Sequence, residues 1–196
     1  VAEITLKAVS ALSGFDTRIG DTRLVAIENL DILSIALPRS MQAEPPVDTR
    51  SALNNRMQEA FGIALPDPGK LNSTDETTTL MGLQSDQWFM TTNKQAIDPV
   101  KSFKSVLADT AYLTDQSDSW AILEISGPNA QAALERICLL DLASDVFDDK
   151  KVARTAMEHL SVIIHRPELT RFRLYSPRSS AQSFLHAVQL SLQNVS

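Results

Sequence analysis

The sequence has one cysteine, Cys138, three histidines and six glycines among 196 residues. A single thiol excludes an internal disulfide and any paired-cysteine metal or redox motif, and it suits a reducing compartment. With so few glycines, neither a G-x-G-x-x-G turn nor a G-x-x-x-x-G-K-[ST] loop occurs, so nucleotide phosphates have no visible cradle. No apolar run approaches the roughly 20 residues of a bilayer span, and the N-terminus lacks the basic-then-apolar plan of a signal peptide. Basic residues are outnumbered as well, 18 Lys and Arg against 24 Asp and Glu, for a net charge of -6. That balance argues against a nucleic-acid backbone or an anionic membrane as the main partner. The chain is read as cytoplasmic.

What is present is ordinary globular material, 43% apolar, enough for one large domain or two small, closely packed ones. Residues 1–25 carry two short apolar patches, Ile4-Thr5-Leu6 and Val9-Ser10-Ala11-Leu12, followed by turn formers and charges. They read as an N-terminal arm, with an irregular lead-in on the same domain as the alternative. A strand is expected at 32–37, stopped by Pro38, and then a helix capped by Asp48 or Thr49, with Leu53, Met57, Ala60 and Phe61 on one face and Gly62 as its stop. Residues 64–72 read as a loop, and 77–83 with 87–92 as a hairpin. Asp98 caps a second helix with Pro99 at its first position and Val100, Phe103 and Leu107 facing inward.

The second half repeats this order. A strand at 120–126 leads into a helix at 128–139, whose stripe Ala130, Ala133, Leu134, Ile137 and Cys138 has helical spacing. Strands are expected at 155–165 and 171–176. A last helix starts at a capping box in which Ser179 caps and Gln182 reaches back, with Ala181, Phe184, Leu185, Val188 and Leu192 on its buried face. The fold class is therefore α+β: two similar β-α-β-β-α units, 26–110 and 111–196, each a small antiparallel sheet with helices on one face, packed by their open faces into one compact domain.

Motifs that carry chemistry are few. Ser126 sits at a Gly-Pro elbow without a G-x-S-x-G frame and reads as a strand end or helix cap. Cys138 lies on an apolar helical stripe, where a thiolate is disfavoured. His159, His165 and His186 form no H-x-x-x-H pair; the first two share a face if their strand is unbroken. Asp115 and Asp118, and Asp145, Asp148 and Asp149, cluster in loops and read as caps. Trp88 and Phe89 point to opposite faces of one strand, as in a central strand covered on both sides. No catalytic, cofactor-binding or metal-binding residue is assigned.

The ordered set Ser126-Gly127-Pro128, a helix of A-x-x-A-L-x-x-I-C type and Leu140-Asp141-Leu142 resembles the folate-dependent aminomethyltransferase superfamily, and within it the gamma subunit of heterotetrameric sarcosine oxidase. Asp86-Gln87-Trp88, Thr114-Asp115-Gln116-Ser117 and Leu174-Tyr175-Ser176-Pro177-Arg178-Ser179 extend the likeness over about residues 80–196, whereas 1–75 match weakly. The resemblance implies an aminomethyltransferase-like fold and a non-catalytic subunit, inactive alone. Its partners are then the alpha, beta and delta subunits, mainly the large alpha subunit. The resemblance places FAD, FMN, NAD, zinc and tetrahydrofolate in those partners and none in this chain. The assembled enzyme would oxidise sarcosine to glycine, passing the methyl carbon to tetrahydrofolate or releasing formaldehyde while oxygen becomes peroxide. Alternatives are the small subunit of a paralogous N-methyl amino acid dehydrogenase and a free-standing folate-binding aminomethyltransferase-like protein. Against the latter, such enzymes carry a further C-terminal domain. The sequence leaves open the N-methyl amino acid, oxidase against dehydrogenase, the interface residues, and whether 1–25 reach a neighbour.

Overall fold

A computed structural model describes residues 9–38, 49–94 and 98–196. The Ile4-Thr5-Leu6 patch and the Asp48 cap lie outside the described residues. The strands are β1 Asp16–Ile19, β2 Thr22–Ile27, β3 Leu30–Ala36, β4 Leu71–Ser73, β5 Thr79–Gln84, β6 Gln87–Asn93, β7 Tyr112–Asp115, β8 Trp120–Ser126, β9 Val152–Met157, β10 Leu160–Glu168 and β11 Arg171–Pro177. The α-helices are α1 Thr49–Phe61, α2 Pro99–Leu107, α3 Ala130–Glu135 and α4 Ala181–Gln193.

All strand pairs are antiparallel, in a five-stranded sheet ordered β4-β5-β6-β3-β7 and a six-stranded sheet ordered β1-β2-β8-β11-β10-β9. The run β4-β5-β6-β3 corresponds to β9-β10-β11-β8, so the two halves share one topology. Their outer neighbours are exchanged. β7, which opens the second half, pairs with β3 of the first, and β2, which precedes the first half, pairs with β8 of the second.

The side-chain alternation of strands sorts these residues into layers. Leu33, Ile35, Leu80, Trp88 and Met90 face α1 and α2. Leu123, Ile125, Val162, Ile164, Phe172 and Leu174 face α3 and α4. The opposite faces meet in a seam between the sheets, built on Ile32, Met81, Phe89, Ile122, Ile163 and Tyr175. Trp88 and Phe89 are thus buried on opposite sides of β6, as expected. Trp88 donates its indole hydrogen to the Pro66 carbonyl at 2.9 Å. The result is a helix–sheet–sheet–helix stack.

Several expectations are corrected. The 155–165 strand is two strands, because Glu158 and His159 adopt positive φ (46° and 65°) in a tight reversal between β9 and β10. Residues 16–27, expected largely as arm, form the β1–β2 hairpin across Gly20 and Asp21, and 71–73 leave the expected loop as β4. The 128–139 helix is regular only over α3. After Glu135 the amides of Ile137 and Cys138 both turn to the Leu134 carbonyl, which brings Cys138 against Met157 at the edge of β9. Ser126 does not cap α3, whose N-cap is Asn129 without a side-chain bond. The capping box does not form: α4 begins after a short 3-10 turn with Ser180 at its N-cap, and Gln182 donates to the Ala11 carbonyl at 2.5 Å. In α1, Leu53 and Met57 are buried but Ala60 is exposed. The Asp98 cap holds, accepting the Val100 amide at 2.9 Å, and Gly62 stops α1 at φ 65°.

Gly127, the centre of the Ser-Gly-Pro motif, sits at φ 136°, where an added Cβ would lie 2.7 Å from both the Asp21 carbonyl oxygen and Thr22 Cα. The β1–β2 turn therefore rests against a backbone with no side chain. Gly127→Ala is expected to cost on the order of 3 kcal/mol from strain and overpacking, read as a lower midpoint in urea unfolding.

Candidate functional site

One end of the seam is polar. Glu124 interrupts the apolar run of β8, and Arg171 and Arg173 alternate with Phe172 and Leu174 on β11, so all three charges project between the sheets. Arg173 donates through Nε to Glu124 Oε2 at 2.7 Å and through Nη1 to the Glu76 carbonyl at 2.7 Å, across the seam. Its side chain is 8% exposed and that of Glu124 is 11%. Arg171 lies beside them, with Nη1 4.0 Å from Glu124 Oε1 and Nη2 2.6 Å from Glu168.

The receiving loop between β4 and β5 is shaped by Asp75. Its Oδ1 accepts the Thr77 hydroxyl at 2.7 Å and the amides of Thr77 and Thr78 at 2.7 and 2.8 Å. These bonds, the Thr77 hydroxyl first, hold its carboxyl well below the usual carboxylate range. Two further polar contacts lie nearby: His165 Nε2 and the Tyr175 hydroxyl are 3.1 Å apart, and Thr91 donates to the Thr77 carbonyl at 3.0 Å.

Burial, with Arg173 and Arg171 adding repulsion, pushes the His165 pKa down to about 3. Burial pushes Tyr175 up to about 12. Both are neutral around pH 7 and serve as hydrogen-bonding groups, while the arginines and carboxylates carry the charge. Such a cluster is suited to holding a ligand or a neighbouring loop in place. It opens into a cleft of about 440 Å³ whose walls include His165, Arg171 and Arg173 on one side and Asp75 and Glu76 on the other.

The residues singled out in the sequence are scattered. His159 is exposed in the β9–β10 turn and His165 is buried, so the two do not share a face of one strand; His186 is exposed on α4. Cys138 is buried, and burial raises its thiol pKa. Asp115 caps a turn at the Ser117 amide, Asp118 pairs with Arg178 at 3.2 Å, and Asp148 accepts the Lys150 amide. Asp149 reaches the cleft rim, and Ser126 ends β8 opposite Arg171. Among the described residues, no three His, Cys, Asp or Glu converge as metal ligands. The sequence reading missed Glu124, Arg171, Arg173 and Tyr175. The available signal was charge inside strands that are otherwise apolar on both faces.

A buried pair leaves an uncompensated charge when halved. Glu124→Leu is expected to cost about 3 kcal/mol, and Glu124→Leu combined with Arg173→Met to recover at least half of it, as a double-mutant cycle in urea will show. For His165, the unfolded chain binds the proton between pH 6.5 and about 3 and the folded chain does not. Its contribution to stability is therefore complete above pH 6.5 and is lost as pH falls toward 3. His165→Gln should flatten the decline, losing about 2 kcal/mol less than the parent between pH 7 and pH 5, measured by urea midpoints at the two pH values.

Comparison with known proteins yields no matching family model and no matching curated protein. Solved structures do match. A chain of heterotetrameric sarcosine oxidase from Corynebacterium sp. U-96, solved in complex with pyrrole 2-carboxylate, superposes with a TM-score of 0.75 at 18% identity, over 89% of this chain and 85% of that one. The glycine cleavage system aminomethyltransferase T of Bartonella henselae superposes with a TM-score of 0.56 at 12% identity. That match covers 86% of this chain but 45% of the aminomethyltransferase, so this chain spans less than half its length. The chain shares its α+β fold with these two proteins.

Proposed function

We propose that the chain is a non-catalytic subunit of a multi-subunit sarcosine oxidase-type enzyme, the counterpart of its gamma subunit, packing mainly on the large alpha subunit. The observation that carries this reading is the superposition on a chain of heterotetrameric sarcosine oxidase, which takes in most of both chains. The Ser126-Gly127-Pro128 motif supports it, since Gly127 is required by the close approach of the Asp21–Thr22 turn. Leu139, which follows α3, is 84% exposed, and Leu190 of α4 is 50% exposed, leaving aliphatic side chains at the surface. On this reading FAD, FMN, NAD, zinc and tetrahydrofolate belong to the partner subunits, and the complex converts sarcosine to glycine.

The likeness to aminomethyltransferase T favours a second reading, a folate-binding protein acting alone. Native pull-down of the chain from its own cell, with an absorption spectrum and a sarcosine-dependent peroxide assay, separates the two. The subunit reading expects a yellow multi-subunit complex that makes peroxide; dye reduction without peroxide would mark a dehydrogenase relative. Recovery of a lone colourless chain that binds tetrahydrofolate, or turnover of sarcosine by the single chain, would overturn it.

A further inference from the structure

The cleft at the polar end of the seam has features that neither the fold nor the assembly reading requires. The seam is otherwise built mainly on apolar side chains, and buried ion pairs can commonly be replaced by well-packed apolar residues with no loss of stability. Here the ions are kept, and they open onto about 440 Å³ of space, within the range of small-molecule sites. Arg171 is incompletely used. Among the described residues its Nε is buried with no hydrogen-bond partner, its Nη1 stands 4.0 Å from Glu124, and its one short contact is with Glu168, a carboxylate 62% exposed. An exposed carboxylate paired at the surface is held weakly and is readily displaced.

The facing wall has the opposite sign. Asp75 is kept ionised by the Thr77 hydroxyl and the loop amides, Glu76 follows it in the same loop, and Asp149 lines the same cleft. These carboxylates do not converge as ligands for a compact metal ion; negative charge spread along a wall suits an ammonium group. A simple carboxylate ligand would meet repulsion from this wall, and a simple amine would meet repulsion from Arg171, Arg173 and Lys150. A molecule carrying both charges satisfies each side.

We propose that this cleft binds a small zwitterion of amino-acid to dipeptide size, its carboxylate replacing Glu168 on Arg171 and its ammonium lying against the Asp75–Glu76 wall. This does not rest on the subunit reading. The test is NMR titration of the full chain with glycylglycine, and separately with acetate and with methylammonium, following the ring signals of His165 and the amides of residues 74–78. Glycylglycine is expected to shift these signals saturably, and acetate or methylammonium to bind at least about tenfold more weakly. Glu168→Gln, which removes the competing carboxylate, should tighten glycylglycine binding; Arg171→Met should weaken it about tenfold while keeping the native spectrum. His186→Ala, on the exposed side of α4, should change nothing. The proposal is overturned if glycylglycine gives no saturable shift, if acetate alone binds as well, or if Glu168→Gln fails to tighten binding.

Discussion

The structure depends on strands that bury both faces. In β3 and β8 nearly every residue is buried, so helices on one side leave a second apolar face that must be removed from water. The sheets meet that requirement by covering each other. Their layers, the positions of the helices and the placing of charge at one end of the seam follow from this need. Two polar links are made at that end: Arg173 donates to the Glu76 carbonyl and Thr91 to the Thr77 carbonyl. Both links reach the same loop, which is why its shape, set by Asp75, matters beyond its own residues.

The sheets are also joined through backbone. The Leu71 amide donates to the Lys150 carbonyl and the Val152 amide to the Gly69 carbonyl, so the starts of β4 and β9 meet at one corner. At its other end β9 is met by Cys138 through the bridge to Met157. An edge strand occupied at both ends gives little opening for pairing with another chain. The truncation of α3 has its reason here, since a longer helix would carry Cys138 away from that edge. Arg166 contributes on the outer face: buried over the Phe172 ring, it donates to the carbonyls of Leu142 and Phe147 and fastens the connection from α3 to β9 against the sheet.

Much of the fold was legible locally. Helical spacing placed α2 and the buried face of α4, the Trp88-Phe89 pair announced a strand covered on both sides, and the matching element order of the halves predicted two sheets packed face to face. What was not legible depends on distant partners or on unadvertised backbone. Glu158 and His159 reverse the chain at positive φ without glycine, asparagine or proline to signal it. Gln182 had a plausible local partner in the Ser179 amide, but the tertiary partner Ala11, supplied by the start of the chain, prevailed. The polar cluster was hidden for the same reason: Arg173 and the Glu76 carbonyl lie 97 residues apart in sequence, and no local pattern brings them together.

The exchange of outer strands between the halves sets an order of events during synthesis. A ribosome delivers the N-terminus first, yet Ile27 of β2 pairs with Ile122 of β8. The β1–β2 hairpin therefore leaves the ribosome well before the strand it must join. The five-stranded sheet, whose strands all precede residue 116, can be completed while the hairpin still waits. Contacts this distant in sequence slow folding. Until β8 arrives, the hairpin's free edge is the surface that a nascent-chain chaperone would have to shield.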